Sequence, residues 1–223
     1  MVKRIVKVYP RFERFWHWSQ VILILTLMVT GFGINGLHGF VSFGTAVTVH
    51  TIAALLLLAL WIFSTFWLVT TGTWRQFTPT LEGMMHVIFY YAVGVFKGKK
   101  HPYRKVLWRK HNPLQAATYF VLKWIVFPVI WITGLLYLTF NFWGSAVTDA
   151  SFWLWLLANL HLLAAYVIVT FLIIHLYLLT VGGHGFGAHV KPMITGYDEV
   201  ELTAEEEAYL EADEPWRLKP QEG

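Results

Sequence analysis

Cysteine is absent from the 223 residues. Its absence excludes disulfides, thiolate-held iron–sulfur clusters and haem attached through C-x-x-C-H, so any metal or haem must rely on other ligands. Charge is scarce too: Asp, Glu, Lys and Arg together make up 13% of the chain against 57% hydrophobic residues. Mean hydropathy is +0.53, whereas an ordinary soluble domain carries about 25% charge. The composition is that of a membrane protein. No nucleophile paired with a base, no phosphate loop and no thiolate metal site is visible, so hydrolysis and group transfer have no support in the sequence.

A hydrocarbon core of about 30 Å takes roughly 20 helical residues to cross. Four stretches are long and apolar enough, near 15–35, 46–70, 115–139 and 152–181. The first follows Lys3, Arg4 and Lys7, but "LMVTGFGINGLHGF" has no small-residue cleavage signature, so it reads as a retained span. The stretch "MMHVIFYYAVGVF", 84–96, is too short to cross and reads as a helix lying on the inner surface. No internal repeat or low-complexity tract is present.

The connections 36–45 and 140–151 hold no Lys or Arg. Five of the 17 basic residues (Lys3, Arg4, Lys7, Arg11, Arg14) precede the first span. Eight (Arg75, Lys97, Lys99, Lys100, Arg104, Lys105, Arg109, Lys110) lie between the second and third. By the positive-inside rule both termini and the long middle loop are cytoplasmic. The expected organisation is a four-span domain over 1–195 and an acidic cytoplasmic tail over 196–223. That tail has a helix cap at Thr203 and otherwise reads as solvated.

What is present in excess is histidine, inside the spans. His161 and His175 share the fourth span, 14 residues apart. At 100° per residue that spacing falls about 40° short of four turns, so both imidazoles lie on nearly one face, roughly 21 Å apart along the axis. His17 starts the first span at the level of His175, and His50 starts the second at the level of His161. Ionisable side chains in a span are costly and are usually functional or paired, and neutral imidazole is an axial ligand of haem. Two bis-histidine b haems, stacked across the membrane, account for all four. Gly31 follows His17 by the same 14 residues, offering an empty surface for either a porphyrin edge or close helix packing. Thr30-Gly31 recurs as Thr133-Gly134. His38 is a substitute for His50 nearer the aqueous end, while His86, His101, His184 and His189 read as ordinary interfacial residues.

With "RFWHW" and its later "TG", "HNPLQ", the 14-spaced pair and "HVKPMITG", the chain resembles the di-haem cytochrome b subunits of bacterial formate dehydrogenases, nickel-iron hydrogenases and thiosulfate reductase-like enzymes. The resemblance covers most of the chain. It implies an all-α integral membrane fold, a four-helix transmembrane bundle, with His17 and His175 on the inner haem iron and His50 and His161 on the outer. It also implies a quinone, menaquinone or ubiquinone, beside the inner haem near Asn112 and Gln115, with His111 adjacent. The formate dehydrogenase form of that motif has a glycine two residues after the asparagine, where this chain has Leu114. Asn112 before Pro113 is equally an ideal helix start.

The implied function is a membrane-anchoring subunit of a respiratory oxidoreductase complex in the bacterial inner membrane. It passes electrons between an extracytoplasmic redox partner, either an iron–sulfur protein or a multihaem cytochrome c, and the quinone pool. Arg11 and Arg14 reach the inner propionates, with Lys123 as a further helper. The outer propionates have no basic partner in the outer loops, so the outer face is expected to be covered. Phe140, Phe142, Trp143, Phe152, Trp153 and Trp155 form either a docking surface or an interfacial aromatic belt. Two other readings are a stand-alone cytochrome b and a histidine-based metal or proton transporter. The transporter reading needs acidic or sulfur ligands that the span centres lack.

Overall fold

A computed structural model of the chain describes residues 1–99, 101–103, 109–180 and 185–219. Lys100, Arg104 and Lys105 of the basic loop, His184 and the last residues of the acidic segment lie outside these. Four helices are long and apolar enough to cross a membrane: α1 (Arg11–Ile34), α2 (Phe43–Thr70), the third span Pro113–Leu138, and α7 (Ala150–Thr180). They coincide with the four apolar stretches of the sequence. Most of their large side chains face outward, Ile22, Leu56, Ile132 and Leu163 among them. Such a surface suits lipid, where the backbone must satisfy itself within each helix.

Local chemistry sets the helix ends. Ser42 precedes α2, its hydroxyl accepting from the Thr45 N–H at 3.3 Å. The third span is composite: α4 (Pro113–Val121) runs through a π-turn (Leu122–Val126) into α5 (Phe127–Leu138). Pro128 explains the break, since its ring clashes with the carbonyl four residues back and removes one helical hydrogen bond. A short α3 (Met84–Phe89) continues as π and 3₁₀ turns to Lys97, so the 84–96 stretch is helical. Another short helix, α6 (Phe140–Trp143), precedes α7, and α8 (Gly185–Thr195) follows it.

The chain divides into two compact units, one comprising 1–18, 68–118 and 175–223, the other 19–67 and 119–174. The second holds most of the length of the four spans. Its core is Leu57, Leu122, Val126, Phe127, Trp131, Ala164 and Ile168. Trp131 stacks on Phe127 at 5.2 Å and meets Trp61 edge-on at 4.9 Å.

The first unit contains what the all-helical expectation lacked. β1 (Val2–Lys7) pairs antiparallel with β2 (Tyr197–Leu202), in a register running from Val2 opposite Leu202 to Lys7 opposite Tyr197. Alternation turns Val6, Val200 and Leu202 to one face, where they pack with Leu210 of α9 (Ala204–Asp213). Charge complements the pairing: Lys3 reaches Glu199 at 2.7 Å, and Arg4 bonds Glu207 at 2.6 Å and Glu211 at 3.3 Å. The acidic segment is thus folded onto the basic N-terminus rather than being a solvated tail. Thr203 does cap α9, in a reciprocal box with Glu206.

Candidate functional site

Within the span unit, α2 and α7 bring His50 and His161 opposite each other. Their ring centroids are 6.3 Å apart and their planes 63° from parallel. An imidazole nitrogen bound to a transition metal stands about 2.0–2.1 Å from it, so two imidazoles on one metal, with ring radii added, hold their centroids roughly 6 Å apart. The two rings fit a single metal between them. Among the described residues no group of three or more His, Cys, Asp or Glu gathers to hold an ion. A two-histidine donor set suits a metal that brings its own equatorial ligands, as haem does, and leaves a tetrahedral zinc site two ligands short.

Each of these rings is held from behind by a Thr-Gly pair on a different helix. His50 Nδ1 lies 3.0 Å from the Thr30 hydroxyl on α1, and His161 Nδ1 lies 3.1 Å from the Thr133 hydroxyl on α5 and 2.9 Å from the Ile130 carbonyl. The glycines serve the rings directly. A Cβ on Gly31 would stand 3.2 Å from His50 Cε1, and one on Gly134 would stand 3.0 Å from His161 Cε1. The surface expected to be empty at Gly31 is occupied by an imidazole edge.

His17 and His175 belong to the other unit and are close enough to interact electrostatically. The His17 ring meets Trp18 edge-on at 5.2 Å, and its Nδ1 is buried with no protein hydrogen-bond partner among the described residues. One turn earlier on α1, Glu13 forms a buried ion pair with Lys110, whose ammonium also lies 5.0 Å over the Tyr9 ring. Burial lowers the Lys110 pKa, against the pull of the Glu13 carboxylate. Glu13 Oε1 and Arg14 Nε are likewise buried without partners. The Arg14 guanidinium donates to the Ile194 carbonyl, and Trp18 Nε1 donates to the Met193 carbonyl at 2.9 Å. These bonds strap the start of α1 to α8. Of the two arginines assigned to propionates, Arg14 therefore spends a donor on the backbone, while Arg11 is exposed.

His111, Asn112 and Gln115 gather at the start of α4. Asn112 Oδ1 accepts from the Gln115 N–H at 2.9 Å, and Gln115 Oε1 accepts from the Asn112 N–H at 3.1 Å, a reciprocal cap. Asn112 Nδ2 donates to the Tyr91 hydroxyl at 3.3 Å, and His111 packs on Phe77 with centroids 4.9 Å apart. Burial raises the Tyr91 pKa, partly offset by the Asn112 hydrogen bond. Tyr91 also sits 3.2 Å from His101 Nε2.

The remaining residues sort by contact. His38 Nε2 lies 2.7 Å from the Val29 carbonyl, with its ring against Gly33, so it closes the end of α1 instead of facing His161. Lys123, on the π-turn, lies 5.0 Å over the Trp61 ring and 3.4 Å from the buried Ser64 hydroxyl. Among the outer-loop aromatics Phe142 is 86% exposed, and Phe152 stacks near Trp155 at 6.2 Å. Sequence reasoning missed Thr30 and Thr133 as histidine partners, although their recurrence before glycine was the available signal. It also missed Glu13, Lys110 and Tyr91, whose partners are 97 and 21 residues away in sequence.

Residues 8–196 match the family described as prokaryotic cytochrome b561. The chain is also 27% identical over 198 residues to the protein named "Putative cytochrome YdhU" of Escherichia coli (strain K12), covering 86% of this chain and 74% of that relative. No solved structure matches it significantly. By the first of these findings the chain belongs to the prokaryotic cytochrome b561 family, multi-pass membrane proteins that bind haem b and carry electrons.

Proposed function

We propose that the chain is the membrane subunit of a respiratory oxidoreductase complex. It holds two b haems, His50 with His161 on one iron and His17 with His175 on the other. It moves electrons between an extracytoplasmic redox protein and a membrane quinone. The observation that carries this reading is the facing of His50 and His161 at a one-metal separation, with each Nδ1 engaged from behind. Haem supplies one-electron exchange between ferric and ferrous iron when bound.

The rest is the work of the chain's own residues. The His50 and His161 rings are each seated by a threonine hydroxyl and a glycine of a neighbouring helix, and would hold the iron between them. Around His17, ionisable and polar groups gather instead: Glu13, Lys110 and Arg14, with Trp18 beside the ring. Reduction of a quinone consumes protons as well as electrons, so this polar end is where we place it, by the start of α4. The reciprocal cap commits both side-chain oxygens of Asn112 and Gln115. Contact with a quinone carbonyl there falls to N–H donors, the Gln115 amide foremost, with His111 beside it. Thirteen of the 17 basic residues flank this end, which supports a cytoplasmic orientation for it. The exposed aromatics around Phe142 and Phe152 support a docking surface for the redox partner.

Pyridine haemochrome analysis of the purified protein tests the reading. Two b haems per chain are expected, with one remaining in His161→Ala. A colourless protein, or a His161→Ala variant with both haems, refutes it.

A further inference from the structure

We propose that Thr30 and Thr133 are paired positioning residues that fix the tautomer and rotation of His50 and His161. The two helices α1 and α5 thereby present a matched pair of Nε2 lone pairs to the haem iron. The inference rests on His50 and His161 being ligands of one haem, and it adds how the protein prepares them.

The argument is a count of hydrogens. A threonine hydroxyl has one hydrogen to donate and lone pairs with which to accept. On α1 the Thr30 hydroxyl lies 2.7 Å from the Thr26 carbonyl, and on α5 the Thr133 hydroxyl lies 2.7 Å from the Val129 carbonyl. A carbonyl can only accept, so each hydroxyl hydrogen is spent there. Toward the imidazole the hydroxyl can then act only as acceptor, so Nδ1 must carry the ring hydrogen. The Ile130 carbonyl, 2.9 Å from His161 Nδ1, is acceptor-only as well and demands the same tautomer. On the His50 side the Thr30 hydroxyl, 3.0 Å from Nδ1, sets the tautomer by itself. With Nδ1–H committed on both rings, the unprotonated nitrogen of each is Nε2, the one an iron requires.

The glycine that follows each threonine completes the seat. It lets the Cε1 edge of the ring settle against the helix backbone, which sets ring rotation as the hydroxyl sets protonation. Neither seat lies on the helix that carries the ligand it holds: α1 seats a histidine of α2, and α5 seats a histidine of α7. Threonines in spans often bond the carbonyl four residues back without further purpose. Here that bond is what makes the oxygen a one-way acceptor, and both threonines are almost fully buried beside the ring they face.

An acceptor on the distal N–H raises the basicity of a ligating imidazole, and losing such a partner typically weakens metal binding 10–100-fold. A more basic ligand favours ferric over ferrous iron. Thr→Val keeps the shape and removes the acceptor, whereas Thr→Ser keeps the acceptor. The test uses the purified full-length holoprotein and its Thr30→Val, Thr133→Val, Thr30→Ser and Thr133→Ser variants, read by haem content, potentiometric titration and low-spin EPR. Each Val variant is expected to raise the midpoint potential and move the EPR signal of the same one haem. Both Ser variants are expected to match the parent. Loss of that haem from a Val variant but not from its Ser counterpart supports the proposal equally. It is overturned if the Val variants leave potential and EPR unmoved, or if Val and Ser variants change alike. Retention of both haems by His50→Ala and His161→Ala would instead refute the ligand assignment beneath it.

Discussion

The two histidine pairs are built in opposite ways. His50 and His161 lie in the span unit with both Nδ1 atoms held by threonine hydroxyls, and His161 by a backbone carbonyl as well. His17 lies a turn from a buried ion pair, and among the described residues Glu13 Oε1, Arg14 Nε and its own Nδ1 are buried without a hydrogen-bond partner. A site with every hydrogen bond satisfied is rigid and indifferent to protons. One with buried polar groups left over is responsive to water and charge. Under the proposed function, the contrast would divide the labour: one pair would handle electrons alone and the other electrons near a proton source.

The sharpest way to break the comparison is to remove ligands from each pair in turn. His17→Ala and His50→Ala should each leave one haem per chain, but different haems, with distinct potentials and α-band maxima. The double variant His17→Ala/His161→Ala should hold none. If His17→Ala and His50→Ala lose the same haem, the pairing drawn from the structure is wrong. Haem quantitation with difference spectroscopy decides this.

Next in size is the ion pair, which distinguishes the terminal region alone. The Glu13 and Lys110 side chains are only 7% and 4% exposed. Removing one partner leaves a buried charge unpaired, at a typical cost of about 3–5 kcal/mol, whereas replacing both with apolar residues of similar volume is often near neutral. Glu13→Gln is therefore expected to lower the thermal midpoint in detergent strongly, with the His17 haem released first on heating. Glu13→Leu/Lys110→Met should recover most of that loss. A Glu13→Gln protein as stable as the parent would show that the pair is not buried in the native membrane protein.

Much of the span region was legible in advance because its information is local. Apolar run length placed four helices, and the 14-residue spacing placed His161 and His175 on one face. Asn112-Pro113 announced the start of the third span, and the repeat of Thr-Gly marked the two seats without saying what sat in them. The terminal region was opaque because its structure is made of long-range pairings. "VKRIVK" and "YDEVEL" are separated by almost the whole chain, and their opposite charges, each read singly, suggested membrane orientation for one and solvation for the other. The alternation of Val200 and Leu202 with Glu199 and Glu201 was a strand signal, but a two-residue apolar stripe without its partner strand says little. The same holds for Glu13 and Lys110, which look like surface charges until the fold buries them together.

The smallest effect expected separates the two halves of the core pair from each other. A methyl on Gly134 would stand 3.0 Å from His161 Cε1, and one on Gly31 would stand 3.2 Å from His50 Cε1. Neither ring can yield freely, because its Nδ1 is tethered to a hydroxyl on the same helix turn. The His161 ring is tethered twice, to Thr133 and to the Ile130 carbonyl at 2.9 Å. Gly134→Ala must therefore tilt a ring held at 3.0 Å, whereas Gly31→Ala meets its ring at 3.2 Å and asks for a smaller shift. Both variants are expected to keep two haems, since a ring can pivot about its ligating nitrogen without losing the metal. The core haem should broaden and shift in its low-spin EPR signal, more in Gly134→Ala than in Gly31→Ala, with the His17 haem unchanged in both. An equal response from both haems would mean that the glycines act through helix packing in general and not through the imidazole each one faces.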